Sequence, residues 1–464
     1  MARPFFRARG PTESRRSLAT TQLAALALSA CVSYEPAPVD VSRVLAELEA
    51  RRWQPSAAAE PAEVEGAGPE QLASFAVTHN PALQALRAQI GVAEALLVEA
   101  GLLADPEIGW DGMDALATEI VDGTVPTVAW VAGFGLSIPL PRPGELGARK
   151  GAARWRVEEA RRRVTQVEWA LAREVHVACE DVVEARRLLD QNQDLVRVAE
   201  TTREYFERAK AAGAATAIQA NLASGDLLAI RAWRVRLEAR LRNARQRLNA
   251  LLGLPPSTVI PLARASVPED APVDEPAVPA QTLAERSVTL RPDLAALLAS
   301  YQAAEEDVRL EVARQFPQVA IGTGIWFVPG FSTRFNRPAI ETAIARRAAL
   351  RQEIDAQVHE VRRDVHDAYA AVEEARRELR FLESELLPNA EESLRLAGAA
   401  FDAGEVTLLE ILTLQRALVD ARTHTTEARA ELRRRHWRLL AASGTLLATA
   451  TPPRDDEPET PERR

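Results

Sequence analysis

Several residue types are scarce in this chain, and each shortage excludes a class of protein. Two cysteines, Cys31 and Cys179, occur in 464 residues, too few for a disulfide framework or a cysteine-built zinc site. Cys179 sits in the helix-forming stretch His176-Val177-Ala178-Cys179-Glu180, where it reads as a small apolar residue facing a neighbouring helix. Aromatics make up 5% of the chain while Ala, Leu, Glu and Arg dominate, so long helices are favoured and an all-β sandwich is excluded. No run of 18 apolar residues occurs, so no transmembrane helix is expected, and any membrane crossing falls to a β-barrel. Lys150 and Lys210 are the only lysines, a bias of composition rather than of chemistry. The formal charge of −9 argues against a nucleic-acid partner, which needs a basic face. Catalytic signatures are missing too. His79, His176, His359, His366, His424 and His436 form no HExxH and have no partner at ligand spacing, and no Walker loop, nucleophile elbow or Rossmann fingerprint occurs. No enzyme activity, cofactor or metal site is expected.

What is present begins with a targeting segment. Arg3, Arg7, Arg9, Arg15 and Arg16 precede an apolar run from Leu18 to Ala30, which has the length of a signal-peptide core and is too short to span a bilayer. It ends in Leu28-Ser29-Ala30-Cys31, similar to the bacterial lipobox, in which the cysteine becomes the lipidated N-terminus. Val32 follows where an Asp would resemble an inner-membrane retention signal. The expectation is a signal peptide over residues 1–30, then a lipid-anchored linker over 31–68.

The body repeats. Asn80-Pro81-Ala82-Leu83 recurs as Arg291-Pro292-Asp293-Leu294 at an offset of 211, and Gly213-Ala214-Ala215-Thr216 recurs as Gly404-Glu405-Val406-Thr407 at 191. Leu248 to Gly253 matches Leu439 to Gly444 at the second offset. A unit this long is a duplicated half-domain and not a solenoid repeat. The copies span 69–253 and 282–445, separated by a Pro-rich linker over 254–281 and followed by a disordered tail over 446–464.

Each copy reads as a short helix, a β-hairpin, a very long helix, a Gly turn and a return helix. Val157, Val164, Val167, Leu171, Val175, Ala178, Val182, Ala185 and Leu189 follow three-four spacing in the first copy, as do Ile354, Val358, Val361, Val365, Ala368, Val372, Ala375, Leu379, Leu382 and Leu386 in the second, so both long helices carry coiled-coil seams. The helix over 144–212 would reach roughly 100 Å at ~1.5 Å per residue. Strands are expected at Glu107–Thr118 and Pro126–Pro139, each long enough for a tilted membrane strand of ~9–11 residues. In the second copy Gln318–Val328 reads as a single strand, with a turn at Pro329-Gly330. Pro106 to Gly213 spans 107 positions and Pro317 to Gly404 only 87, so the second copy should lack a full second membrane strand.

With these elements in this order, the chain resembles the TolC family of outer-membrane efflux channels over roughly residues 70–445. The resemblance rests on Asn80-Pro81-x-Leu83, Ile138-Pro139-Leu140-Pro141, Phe335-Asn336-Arg337 and Ala400-Phe401-x-x-Gly404-x-x-Thr407-Leu408-Leu409-Glu410. The Phe-Asn-Arg triplet resembles the heavy-metal-efflux branch more than the multidrug branch. The fold implied is mainly α with a small β-barrel part, assembled as a trimeric α-barrel/β-barrel. The function implied is a passive exit duct of a tripartite efflux or type I secretion system, with a periplasmic adaptor and an inner-membrane pump as partners. The resemblance further implies that Gly213, Thr216, Gly404 and Thr407 mark the periplasmic tips where the adaptor docks, and that Glu410 forms an anionic pore constriction, with Gln219 at the matching position of the first copy. The expected location is the outer membrane, anchored by lipid at Cys31, with most of the chain in the periplasm. Two other readings stay open here: a lipid-anchored periplasmic coiled-coil adaptor or scaffold, and a degenerate channel paralogue.

Overall fold

The computed structural model describes residues 34–53, 67–115, 130–262, 278–322, 325–328, 334–403 and 405–446. Cys31, Gly404 and the Pro329-Gly330 turn lie outside the described residues. The chain divides into two compact units, Met1–Ala50 and Arg51–Arg464. In the first unit, Asp40 caps helix α1 (Val41–Ala50) by accepting a hydrogen bond from the Ser42 amide at 2.9 Å.

The second unit opens with α2 (Pro69–His79) and α3 (Pro81–Ala100), two helices where the sequence suggested one short one. Asn80 explains the break, because its side chain accepts from the Ala82 and Leu83 amides and Pro81 fits the first helical turn, where no amide donor is needed. The antiparallel strands β1 (Glu107–Ala115) and β2 (Trp130–Pro139) follow. Next come the unbroken 67-residue helix α4 (Glu145–Ala211) and the return helix α5 (Ala217–Leu252). The second copy repeats the order with α6 (Ala280–Leu290), α7 (Pro292–Ala313), β3 (Gln318–Gly322), β4 (Ile325–Val328), α8 (Arg337–Phe381), α9 (Leu387–Asp402) and α10 (Leu408–Ala442). The duplicated helix–hairpin–helix unit is thus present in mostly helical form, and the expected ends of the first long helix lie within a residue of those observed.

The four strands form one sheet in the order β1-β2-β3-β4, each pair antiparallel. Gln318–Val328 is therefore not the single strand expected. It doubles back so that Ile321 pairs with Ile325 and Gln318 with Val328, because Gly322-Thr323-Gly324 is rich in turn-forming residues. Among the described residues this copy has two short strands of five and four residues, against nine and ten in the first, in place of the one full strand without a partner that was expected.

The principal core lies where α2, α4, α5 and the end of α10 meet, around Leu72, Ala76, Val175, Ala178, Val182, Leu248 and Leu252. Of the seam residues, Val157, Val164, Val361, Val365 and Val372 are buried, whereas Val167 and Leu386 are exposed. Gly253 stops α5 with φ +66°, and a Cβ there would lie 2.8 Å from Pro81 Cδ, so only glycine fits this close approach. One feature departs from the expected continuity. A π turn at Leu382–Leu386 separates α8 from α9, where α4 in the first copy runs unbroken.

Candidate functional site

Two ends of the second unit carry the functional features. At the hairpin tips, α4 ends on Gly213 with φ +75°, and the Ala214 amide donates back to Ala209 O at 2.8 Å, satisfying a carbonyl that the helix end would otherwise leave open. The second copy makes the equivalent bond, from the Glu405 amide to Ala400 O at 2.9 Å. Each return helix then starts with a capping box. Gln219 donates its amide to Thr216 Oγ1 at 3.2 Å while its own Oε1 accepts from the Thr216 amide at 2.8 Å. Glu410 Oε2 accepts from the Thr407 amide at 2.6 Å and from the Thr407 hydroxyl at 2.9 Å. These bonds hold the exposed Glu410 carboxyl below its ordinary pKa. Gly213, Thr216, Thr407 and Glu410 therefore have local structural duties. The signal was legible as Thr-x-x-Gln and Thr-x-x-Glu, the pattern of a helix start.

The structure joins the two tips of one chain. Phe206, Ala220, Ala223, Leu408 and Leu412 form a buried cluster that ties α4 and α5 to α10. Further from the turns, Arg416 donates through Nε and Nη2 to Asp226 Oδ1, at 3.2 and 3.0 Å, bridging α5 and α10. This ion pair edges a cleft of about 360 Å³ lined by Ile230, Trp233, Gln415 and Val419. Nothing in the sequence pattern of either copy taken alone indicates that cross-copy pair.

Midway along the helices an ion-pair network holds the copies together. Arg434 donates to Glu184 Oε2 at 2.6 Å and Arg433 to Glu180 Oε2 at 2.8 Å, with both carboxylates 2% exposed. The Arg433-Arg434-Arg435 run is thus an interhelical clamp, whereas Arg161, Arg162 and Arg163 make exposed pairs with Glu94, Glu158 and Glu159.

At the other end, the sheet joins the helices through a locked junction. Arg142 Nε donates to Phe316 O at 2.7 Å, and Glu145 Oε2 accepts from the Arg142 amide at 3.0 Å. Arg334, Phe335 and Asn336 all have positive φ, at +53°, +54° and +58°, a strained left-handed turn. Asn336 Nδ2 pins it by donating to Glu311 O at 2.8 Å. All four helix–strand connections expose large apolar side chains: Leu102 and Leu103, Ile138 and Leu140, Phe316 and Ile321, and Phe335. Exposed apolar side chains gathered at the helix–strand connections fit an interaction surface.

Among the described residues, no helix is long and apolar enough to cross a membrane and no acidic, His or Cys cluster could hold a metal ion. The chain matches none of the curated proteins by sequence. It is similar in fold to three solved channels: the outer membrane protein VceC from Vibrio cholerae (16% identity, TM-score 0.65, covering 81% of this chain and 96% of that one), the Campylobacter jejuni CmeC outer membrane channel (13%, 0.66, 89% and 94%), and the Neisseria gonorrhoeae MtrE outer membrane channel in its open state (18%, 0.62, 89% and 98%). The sequence also matches the description of an outer membrane efflux protein over residues 72–254 and 331–445. On the extent of that match, the chain belongs to the outer membrane efflux protein family.

Proposed function

We propose that three copies of this chain assemble into a channel in the outer membrane and give passive exit to substrates delivered from the inner membrane by a pump through a periplasmic adaptor. The observation that carries this reading is a sheet with two open edges, β1 and β4, set beside an exposed apolar zone at one end of an unbroken helix of roughly 100 Å. An open strand edge is not tolerated in lipid, so a membrane-inserted sheet has to close against other copies. Exposed Leu228 and Val235 on α5 and Val198 and Tyr205 on α4 supply apolar helix surface for the same association. The tips, with Gly213, Thr216, Gly404 and Thr407, are the adaptor's docking region, and Glu410 lines the constriction. Cys31 carries the lipid that tethers the N-terminus to the inner leaflet of the outer membrane.

The test is reconstitution of the purified full chain. A trimer by mass, with discrete single-channel currents in planar bilayers and labelled palmitate that disappears in Cys31→Ser, is the expected result. A monomer that is extracted without detergent would instead fit the second reading, a degenerate paralogue, which the short β3–β4 hairpin favours.

A further inference from the structure

The duplication makes the joint between the two halves of one chain a template for a joint between chains. Within one chain α4 and α10 pack on each other, and α5 and α8 lie outside them. Four rungs run along the α4–α10 joint: His176 stacks on Trp437, Glu180 accepts from Arg433 at 2.8 Å, Glu184 accepts from Arg434 at 2.6 Å, and Gln191 Nε2 donates to Thr426 Oγ1 at 2.9 Å. The buried seams give the counterparts of these residues. Val175, Val182 and Ala185 of α4 recur in α8 as Val365, Val372 and Ala375 at an offset of 190, all buried. Leu227, Leu237 and Leu248 of α5 recur in α10 as Leu418, Ala428 and Leu439 at 191, again all buried. The extra residue of the π turn at Leu382–Leu386 brings the first offset to 191 at the tips. On α8, the counterparts of the α4 side of the joint are therefore His366, Ala370, Glu374 and Phe381. On α5, those of the α10 side are Gln246, Arg242, Asn243 and Val235. All eight are exposed, whereas their equivalents in the α4–α10 joint are buried or half-buried.

We propose that α8 of one chain packs against α5 of the next chain in the register of the α4–α10 joint, so that chains are held to one another through Phe381 on Val235 and Glu374 on Arg242. The proposal rests on the trimeric reading above. The two surfaces belong to the outer helices and do not face each other within one chain. A joint between two unlike surfaces builds a ring, not a two-fold pair. The rungs run antiparallel, as they do between α4 and α10, and set His366 by Gln246, Ala370 by Arg242, Glu374 by Asn243 and Phe381 by Val235. Phe381 is 53% exposed and Val235 63%, and together they put an apolar contact where the joint within the chain has Gln191 and Thr426. Arg242 has no acidic partner in its own chain among the described residues. Ala370 opposite it is too small to occupy it, so its guanidinium reaches Glu374, one helix turn of about 5.4 Å further on. The Glu374 side chain is 70% exposed and accepts from Arg435 Nη1 at 3.0 Å, which leaves lone pairs for a second guanidinium. Each surface is the counterpart of the other's partner in the α4–α10 joint, and that makes a second copy of this chain the occupant.

The test uses two differently tagged full-length chains expressed together, one carrying Val235→Cys and the other Phe381→Cys, and treated after assembly with a short bifunctional maleimide. A cross-link joining the two tags is expected above the background of the unaltered chains, in which Cys179 is buried. Chains that all carry Val235→Cys should give none. Charge reversal supplies a second measurement. Arg242→Glu or Glu374→Arg alone sets like charges across the joint and should lower the trimer fraction by mass at least about fivefold, and the two together in one chain should restore it. Trimers in which Val235→Cys links only to itself, or whose fraction neither reversal changes, overturn the proposal and leave the trimer standing. If the unaltered protein is a monomer by mass, the trimeric reading fails and the proposal with it.

Discussion

His176 is 5% exposed and lies against Trp437, with ring centroids 3.9 Å apart and planes 19° from parallel. Its Nδ1 is buried without a hydrogen-bond partner, and burial pushes its pKa down to about 4. In the unfolded chain it titrates near 6.5, so between those values the unfolded state binds the extra proton. Stability is therefore complete above about pH 6.5 and falls by roughly 2 kcal/mol by pH 5, with no further loss from this group below about pH 4. Unfolding curves at pH 7 and 5 should show that loss in the wild type and not in His176→Phe; equal losses in both would remove His176 as the cause. Glu184 is a buried charge that is paired. It accepts from Arg240 at 2.5 Å and Arg434 at 2.6 Å; Glu184→Ala removes the closest partner of Arg434, which keeps Glu431 at 2.8 Å and Asp181 at 3.2 Å, and should cost about 2 kcal/mol. Glu94→Ala breaks an exposed pair with Arg161 and should cost less than about 1 kcal/mol. Denaturant midpoints for the two variants check the contrast. Sequence alone gave the charges of Arg433 to Arg435 but not their partners, because Glu180 and Glu184 lie some 250 positions away and are brought close only by the packing of α10 on α4.

At the scale of elements, the helices were readable because three-four spacing of Val, Leu and Ala fixes which stripe is buried, and Gly and Thr-x-x-Gln/Glu mark where a helix stops and the next begins. The strands were less readable. Gln318 to Val328 is apolar enough for one strand or for two halves of a hairpin, and a period-two pattern over so few residues does not say where the chain reverses. The π turn at Leu382–Leu386 also escaped the pattern, since Leu379, Leu382 and Leu386 keep the seam spacing through it. Its signal was Pro388, which cannot donate to the carbonyl of Ser384 and clashes with it in a regular α-helix. The extra residue in the turn removes that conflict, and the Leu387 amide bonds to Leu382 O instead. Glu383 accepts from Arg429 at 2.7 Å and Glu391 from Arg422 at 2.9 Å, so the turn is held to α10 on both sides. Replacing the proline should let α8 and α9 fuse into one helix. In Pro388→Ala, hydrogen exchange of the amides from Glu385 to Ala390 is expected to slow at least about tenfold. Unchanged exchange would mean that the ion pairs to α10, and not the proline, impose the turn.

For the whole molecule, the duplication supplies an internal control. The two tips of one chain are built alike, down to the capping box, but they differ in charge: Gln219 in the first copy stands where Glu410 stands in the second. Both side chains serve the cap equally, because the bond from the threonine amide needs only an accepting oxygen. Glu410→Gln therefore keeps the cap and removes the charge, whereas Glu410→Ala removes both. In a trimer, three Glu410 carboxylates at the closed end would form one anionic ring, and such a ring attracts cations and repels anions. The Thr407 bonds hold the carboxyl below its ordinary pKa, so the ring stays charged across the neutral range. If the ring lines the constriction, Glu410→Gln should lower cation-over-anion selectivity of the reconstituted channel and weaken block by multivalent cations, with thermal stability unchanged. Gln219→Glu, which places a second ring at the first-copy tips, should shift selectivity the other way provided that those tips also reach the pore. If Glu410→Gln conducts and blocks like the wild type while Glu410→Ala lowers the thermal midpoint, then the carboxylate is a helix cap and nothing more. The constriction would then have to be made by other residues of the tip.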